Sequence, residues 1–207
     1  MISYFVFDIG NVLFHYDPRY ILRQLFGKVD SFYLDYFIDS DLWQQLDRGD
    51  IKISDVDLFL KEFYLVSSDQ ARDILRIEKE FVCFLKPIRE MILWFHFLKA
   101  RYPVYILSNF QNQPFDRLCG LYPFLNEAEG MIVSSKVGYN KPEPEIYHCL
   151  FSQYGLDPQE GFFIDDREEN IDMAKQLYLE GHCFVNYPGF DLFMRKRFNF
   201  SIVQDVI

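Results

Sequence analysis

Apolar positions along the chain follow two different rhythms. Near the start, Tyr4-Phe5-Val6-Phe7 runs unbroken into Asp8-Ile9-Gly10. A short continuous apolar run of this kind predicts a strand buried on both faces of a parallel sheet. Asp8 then stands at the carboxyl end of that strand, where open α/β sheets keep their ligands. From about residue 17 to 86 the spacing changes to three and four residues, which predicts helices. Leu22, Leu25 and Phe26 form one stripe. Ile74, Leu75, Ile77 and Phe81 form another, in a helix predicted over 69–84. Phe32, Leu34, Tyr36 and Phe37 are too dense to assign a face. Ser54-Asp55-Val56-Asp57 reads as a helix start, with an acidic residue three places after the cap. No strand-like alternation interrupts this block.

Beyond Pro87 helices and strands alternate. A helix is predicted over 88–101, then a strand over 104–107 that stops at Ser108-Asn109, then a helix opened by Pro114. A strand over 131–133 leads into a loop over 134–144, and a helix over 145–154 is stopped by Gly155. The strand over 161–164 ends at Asp165-Asp166, followed by a helix over 171–179 and a last strand over 183–185. This order implies an α/β fold: a doubly wound parallel sheet with helices on both faces. The helical block becomes an insertion between the first two strands, at the ligand-binding edge. The expected division is a Rossmann-like core over 1–14 and 88–207 and a helical cap over 15–87.

Composition narrows the function classes. Half of the 207 residues are apolar and 19% aromatic, so the chain buries a proper core. A net charge of −10 argues against a nucleic-acid surface, and Arg195-Lys196-Arg197 reads as a solvated helix face. Cys83, Cys119, Cys149 and Cys183 are widely spaced, which favours reduced thiols and a cytoplasmic setting over disulfides or a zinc site. The N-terminus lacks the basic leader and cleavage pattern of a signal peptide. The apolar stretch over 91–110 is interrupted by His96, Lys99, Arg101 and Pro103, so no membrane span is expected.

Each strand end carries a distinct chemical group. Asp8 offers a carboxylate, Ser108 a hydroxyl beside backbone amides, Lys141 an ammonium, and Asp165-Asp166 a carboxylate pair. Alone, each has an ordinary explanation as a turn, an exposed loop or a helix cap. Parallel strands bring their ends to one rim, however, and three acids, a hydroxyl and a lysine there suit Mg²⁺-assisted chemistry on a phosphate. An aspartate attacking a phosphate ester meets like charge, which Mg²⁺ and Lys141 would offset. Amides around Asn109 would hold the phosphate oxygens, and Asn170 is placed to order a metal-bound water.

Phe7-Asp8-Ile9-Gly10-Asn11-Val12, Leu107-Ser108-Asn109, the Gly138–Pro144 stretch carrying Lys141, and Ile164-Asp165-Asp166 with Asn170 resemble the four motifs of the haloacid dehalogenase superfamily. Leu46-Asp47-Arg48-Gly49-Asp50-Ile51 resembles a stretch often seen in its caps. The subgroup suggested includes sugar-phosphate phosphatases and the phosphatase domain of soluble epoxide hydrolases. The resemblance implies Asp8 as the nucleophile that forms an aspartyl-phosphate. It implies Ser108 and Asn109 as phosphate binders and Lys141 as partner to nucleophile and phosphate. It makes Asp166 a direct Mg²⁺ ligand, Asp165 a support for the metal or for Lys141, and the Gly10 carbonyl a further ligand. The expected substrate is a small phosphorylated metabolite, and the expected assembly a monomer or homodimer.

Gly10 departs from the superfamily pattern, in which a second aspartate acts as general acid and base two residues after the nucleophile. His15 and Asp17 are candidate substitutes. Three rivals stay open. A 2-haloacid dehalogenase shares the nucleophile and needs no metal. A phosphonate hydrolase needs a cap lysine, and Lys28, Lys52 and Lys61 are present. A phosphate-binding protein with residual activity is the third.

Overall fold

The computed structural model describes residues 1–52, 55–56, 60, 66–200 and 202. Strand β1 (Tyr4–Phe7) lies at the centre of a five-stranded sheet, and two very short strands, β2 (Phe14–His15) and β3 (Lys86–Pro87), form a separate antiparallel ribbon. The remaining strands are β4 (Val104–Ser108), β5 (Gly130–Val133), β6 (Gly161–Asp165) and β7 (Glu180–Cys183). The sheet order is β5-β4-β1-β6-β7, and every pairing is parallel.

The continuous apolar run of β1 follows from its two covered faces. Phe5 and Phe7 face one core, shared with Trp94, Phe95 and Phe190, while Tyr4 and Val6 face a second with Tyr147 and Leu150. Each buried phenylalanine contributes about 2–3 kcal/mol through area removed from water. Phe7 pairs with Ile106 on one side and Ile164 on the other. Asp8, one residue on, therefore stands level with Asp165 and one place short of Ser108. Register alone brings three of the predicted groups to one rim.

Between β1 and β4 the chain is mainly helical. Helix α1 (Pro18–Phe26) opens on Asp17, whose side chain accepts from the Tyr20 amide, and closes at Gly27 with φ of 72°. A turn over Ser31–Tyr33 passes into a π-helical segment, Leu34–Ile38, with Tyr33, Leu34, Phe37 and Ile38 buried. The wider π turn accounts for a stretch too dense for ordinary helical faces. Helix α2 (Asp41–Arg48) buries Leu42 and Leu46 and stops at Gly49. Helix α3 (Ser68–Glu80) starts with a capping box between Ser67 and Gln70 and continues as a 3-10 turn over Phe81–Phe84. Asp55 and Val56 are helical; Ser54 and Asp57 of the predicted helix start, and Lys61, lie outside the described residues. The β2–β3 ribbon, pairing Phe14 with Pro87 and His15 with Lys86, joins the outgoing and returning chain.

The sheet is covered by α4 (Arg89–Lys99), α5 (Asn112–Leu121), α6 (Pro144–Tyr154), α7 (Glu168–Gln176) and α8 (Tyr187–Phe198). Several boundaries differ from the pattern reading. Helix α5 begins two residues before Pro114, which is tolerated in a first turn. Ser134–Val137 is a helical turn rather than loop. Helix α7 starts at Glu168, three residues earlier than predicted, and ends at Gln176. The last strand is Glu180–Cys183 rather than 183–185, because the polar residues Glu180, Gly181 and His182 supply its pairing with β6. Val185, the most apolar residue of the expected strand, is 82% exposed. All four cysteines are free thiols. Among the described residues no helix is long and apolar enough to cross a membrane.

Candidate active site

The site is organised around one buried ammonium. Lys141 is 4% exposed, and its Nζ lies 2.8 Å from Asp8 Oδ1 and 2.6 Å from Asp165 Oδ2. It also donates to the Leu107 carbonyl at 2.9 Å. The loop that delivers it is fixed by Asn109, whose Oδ1 accepts from the Lys141 amide at 2.7 Å and whose Nδ2 donates to the Lys141 carbonyl at 2.9 Å. The Asn109 side chain is thus committed to the loop, leaving its backbone for a ligand. Both oxygens of Asp165 are engaged as well. Oδ2 meets Lys141, while Oδ1 accepts from the Arg167 amide and from Asn170 Nδ2, each at 2.9 Å.

Charge balance in this cluster is lopsided. One oxygen from each of Asp8, Asp165 and Asp166 lies within 4.8 Å of the others, and Lys141 is the ammonium among them. Burial pushes the Asp8 carboxyl up to about 6; Lys141 pulls it down and Asp165 raises it further. Asp166 is also raised, first by burial, against a 3.0 Å hydrogen bond donated by Asn11 Nδ2. Burial pushes Lys141 the other way, but Asp165 and Asp8 outweigh it and hold its pKa above the ordinary lysine value. Three carboxylates facing one ammonium leave an excess of negative charge that a hard cation would neutralise. Asn170 points to the same conclusion. It is 2% exposed, and its Oδ1 has no hydrogen-bond partner, which suits an acceptor for a metal-bound water. The residues present therefore fit a divalent cation.

Asp8, Lys141, Asp166 and Asn170 line a cavity of about 470 Å³, together with Gly10, Asn11, Ser108 and Asn109, while Asp165 lies buried behind them. One wall is apolar. Trp43 and Phe81 meet with ring centroids 5.2 Å apart, Phe81 stacks on Phe110 at 5.7 Å, and Tyr16 meets Phe81 at 6.3 Å. Of the aromatic residues crowded between 32 and 43, Trp43 lines the cavity, whereas Tyr36 is 58% exposed. His15 is exposed in the β2–β3 ribbon, and Asp17 is exposed and spent on capping α1; neither lines the cavity.

Pattern reasoning missed the contacts that fasten α2 to the loops beside Lys141. Asn140 Nδ2 donates to the Gln44 carbonyl at 2.9 Å, and Ser134 Oγ donates to the Asp47 carbonyl. Arg48 pairs with Glu143 through both terminal nitrogens, Nη1 at 3.0 Å. At Gly49 a Cβ would fall 2.7 Å from the Ser135 carbonyl oxygen, so only glycine permits this approach. Asn11, which holds Asp166, was likewise missed as a site residue. Polar residues in loops and on a short helix carry no periodic signal of such long-range partners.

The chain has known relatives. It is 26% identical over 180 residues to a sesquiterpene phosphatase of Aspergillus oryzae, covering 85% of this chain and 86% of the relative. It is 28% identical over 195 residues to a D-ribitol-5-phosphate phosphatase of Bacteroides thetaiotaomicron, covering 87% and 90%. Among solved structures it resembles a HAD family enzyme of the same bacterium in complex with magnesium and inorganic phosphate. That likeness has a TM-score of 0.67 and 26% identity, and covers 88% of this chain and 93% of the other. A family model described as haloacid dehalogenase-like hydrolase matches residues 2–177. With that match spanning most of the sheet and the whole candidate site, the chain belongs to the haloacid dehalogenase-like hydrolases.

Proposed function

We propose that the protein is an Mg²⁺-dependent phosphatase acting on small phosphate monoesters through an aspartyl-phosphate at Asp8. The observation that carries this reading is the buried Lys141 between Asp8 and Asp165, with Asp166 beside them. Asp8, Asp166 and the Gly10 carbonyl would hold Mg²⁺, which when bound would supply positive charge against the phosphoryl group. Asp165 serves mainly to position Lys141, since its oxygens are occupied by Lys141 and by N–H donors. Lys141 keeps Asp8 ionised and offsets charge on the phosphate. Ser108 and the amides after β4 bind the phosphate oxygens. The helical segment over 15–87 is the cap that closes over this rim, and the four free thiols suit a cytoplasmic setting.

The aromatic wall narrows the substrate. Tyr16, Trp43, Phe81 and Phe110 offer ring faces where a sugar or polyol phosphate would need hydrogen-bond donors and acceptors. The wall therefore favours an alcohol with an apolar body, of the kind the Aspergillus relative's name denotes, over the polyol of the Bacteroides relative. A dehalogenase would leave Asp166 and the orphaned Asn170 oxygen without a task. A phosphonate hydrolase would need a lysine over the site; of its candidates Lys28 is 73% exposed and Lys52 is exposed, neither lining the cavity, and Lys61 lies outside the described residues. Phosphate release from prenyl, aryl and polyol phosphates, with Mg²⁺ and with chelator, tests the reading. Mg²⁺-dependent release that is fastest on the apolar esters supports it. Release that ignores the chelator would contradict it.

A further inference from the structure

We propose that Asp47, on α2, is the proton donor to the departing alcohol and the proton acceptor for the attacking water. The inference rests on the phosphatase reading above and assigns the role that Gly10 leaves without a side chain. Four observations converge on this residue. Asp47 lines the same cavity as Asp8. Its backbone is clamped by Ser134 Oγ, and its neighbours Gln44 and Arg48 are fastened to Asn140 and Glu143, so the turn that carries it is tied to the loop that carries Lys141. Its carboxyl lies beside Trp43 and Gln111, and Gln111 is itself 3% exposed. Finally, burial pushes this carboxyl up to about 8, with Gln111 and Trp43 pulling down and the Asp8 charge raising it further. A raised carboxyl of that kind suits a general acid, which must carry a proton to the departing oxygen.

Other groups are worse placed. Asp39 also lines the cavity but is exposed, Asp166 belongs to the cation cluster, and His15 and Asp17 lie off the cavity.

In the first step an Asp8 oxygen bonds to phosphorus as the bond from phosphorus to the ester oxygen breaks, and the Asp47 proton passes to that oxygen, releasing a neutral alcohol. In the second, water attacks the phosphorus, and the Asp47 carboxylate takes a water proton. The bond from phosphorus to Asp8 breaks, phosphate leaves, and Asp47 is again protonated. No further reactant is needed.

The test is kcat/KM, which reports the first step alone, across phosphates graded from alkyl to activated aryl leaving groups. Asp47→Asn keeps the shape of the side chain and an acceptor for Trp43. It should lose about 10²–10⁴-fold on alkyl phosphates and stay within about threefold of wild type on activated aryl phosphates, which need no proton. Asp47→Ser, which cannot mimic the amide, should show the same split, and thermal melting checks that both variants fold. A uniform loss across all leaving groups, or no loss on any, in folded protein would overturn the assignment. If wild-type protein releases phosphate from none of the esters, the phosphatase reading fails instead.

Discussion

Lys141 and the carboxylates around it hold one another in balance, and removing either side has different consequences. Asp8→Asn takes away one of three crowded negative charges, so the fold should survive. Turnover should drop by at least about 10³-fold, because an amide cannot act as the nucleophile. Lys141→Met does the reverse: it strands buried carboxylates without their cation. It should cost about 3–5 kcal/mol in urea unfolding, and added Mg²⁺ should recover part of it. Gly10 offers a third test at this scale. A Cβ there meets nothing within 4 Å, so Gly10→Asp should be accepted. If Asp47 supplies the acid, Gly10→Asp should restore alkyl-phosphate hydrolysis to Asp47→Asn protein by about tenfold or more; unchanged rates would mean the new carboxyl does not reach the leaving oxygen. Asp8, Ser108, Asp165 and Asp166 were legible in the sequence because parallel strands must end at a common rim, and Lys141 through the motif resemblance, its loop being held at that rim by Asn109. Asp47 was readable only as part of the stretch that resembles a cap motif, since its place in the cavity it shares with Asp8 arises from how α2 docks.

At the level of elements, the docking of α2 ties the turn of Asp47 to the loop that carries Lys141. The Arg48–Glu143 pair is partly exposed, its side chains 36% and 30% accessible, so it is worth about 1 kcal/mol. Arg48→Ala and Glu143→Ala should each lower kcat/KM about threefold to tenfold while lowering the melting temperature by only about 2–4 °C. Their effects should not add, which a double-mutant cycle measures. Helix α3 carries a different liability. Glu78 is 4% exposed, and burial raises its carboxyl to about 7, with Lys79 pulling slightly the other way. The folded state thus holds this proton more tightly than the unfolded chain, so the stability it contributes is complete below the ordinary value of 4.5 and is lost as pH rises through about 7. Glu78→Gln should therefore raise stability by about 1–2 kcal/mol at about pH 8, with little effect near pH 4. Thermal melts across that range measure the crossover. The pattern reading recovered helices with clear apolar stripes, such as α1 and α3, and strands with continuous apolar runs, such as β1, β4 and β6. It misplaced β7 because an edge strand made of Glu180, Gly181, His182 and Cys183 is defined by pairing with β6 rather than by its own hydrophobicity. It assigned no buried face around 32–37, because the π-helical turn over Leu34–Ile38 has no place among the usual periods.

For the molecule as a whole, the sheet supplies the charged rim, and the segment between β1 and β4 supplies Asp47 and most of the aromatic wall, which Phe110 completes from beyond β4. On the proposed reading, phosphate chemistry and choice of alcohol fall to different parts of the chain. The order of the elements made the sheet and its insertion readable from sequence, whereas the wall depends on Tyr16, Trp43, Phe81 and Phe110 meeting from distant positions. Exchanging Trp43 for Ala should weaken prenyl and aryl esters more than polyol phosphates, by about 1–3 kcal/mol in kcat/KM. The most direct measurement is phosphate release from an activated aryl phosphate by wild-type and Asp8→Asn protein, each with Mg²⁺ and with chelator, beside thermal melts of both. The account predicts rapid release only by wild type with Mg²⁺, and a folded, inactive Asp8→Asn variant. Comparable release by folded Asp8→Asn protein, or by wild type stripped of metal, would contradict it.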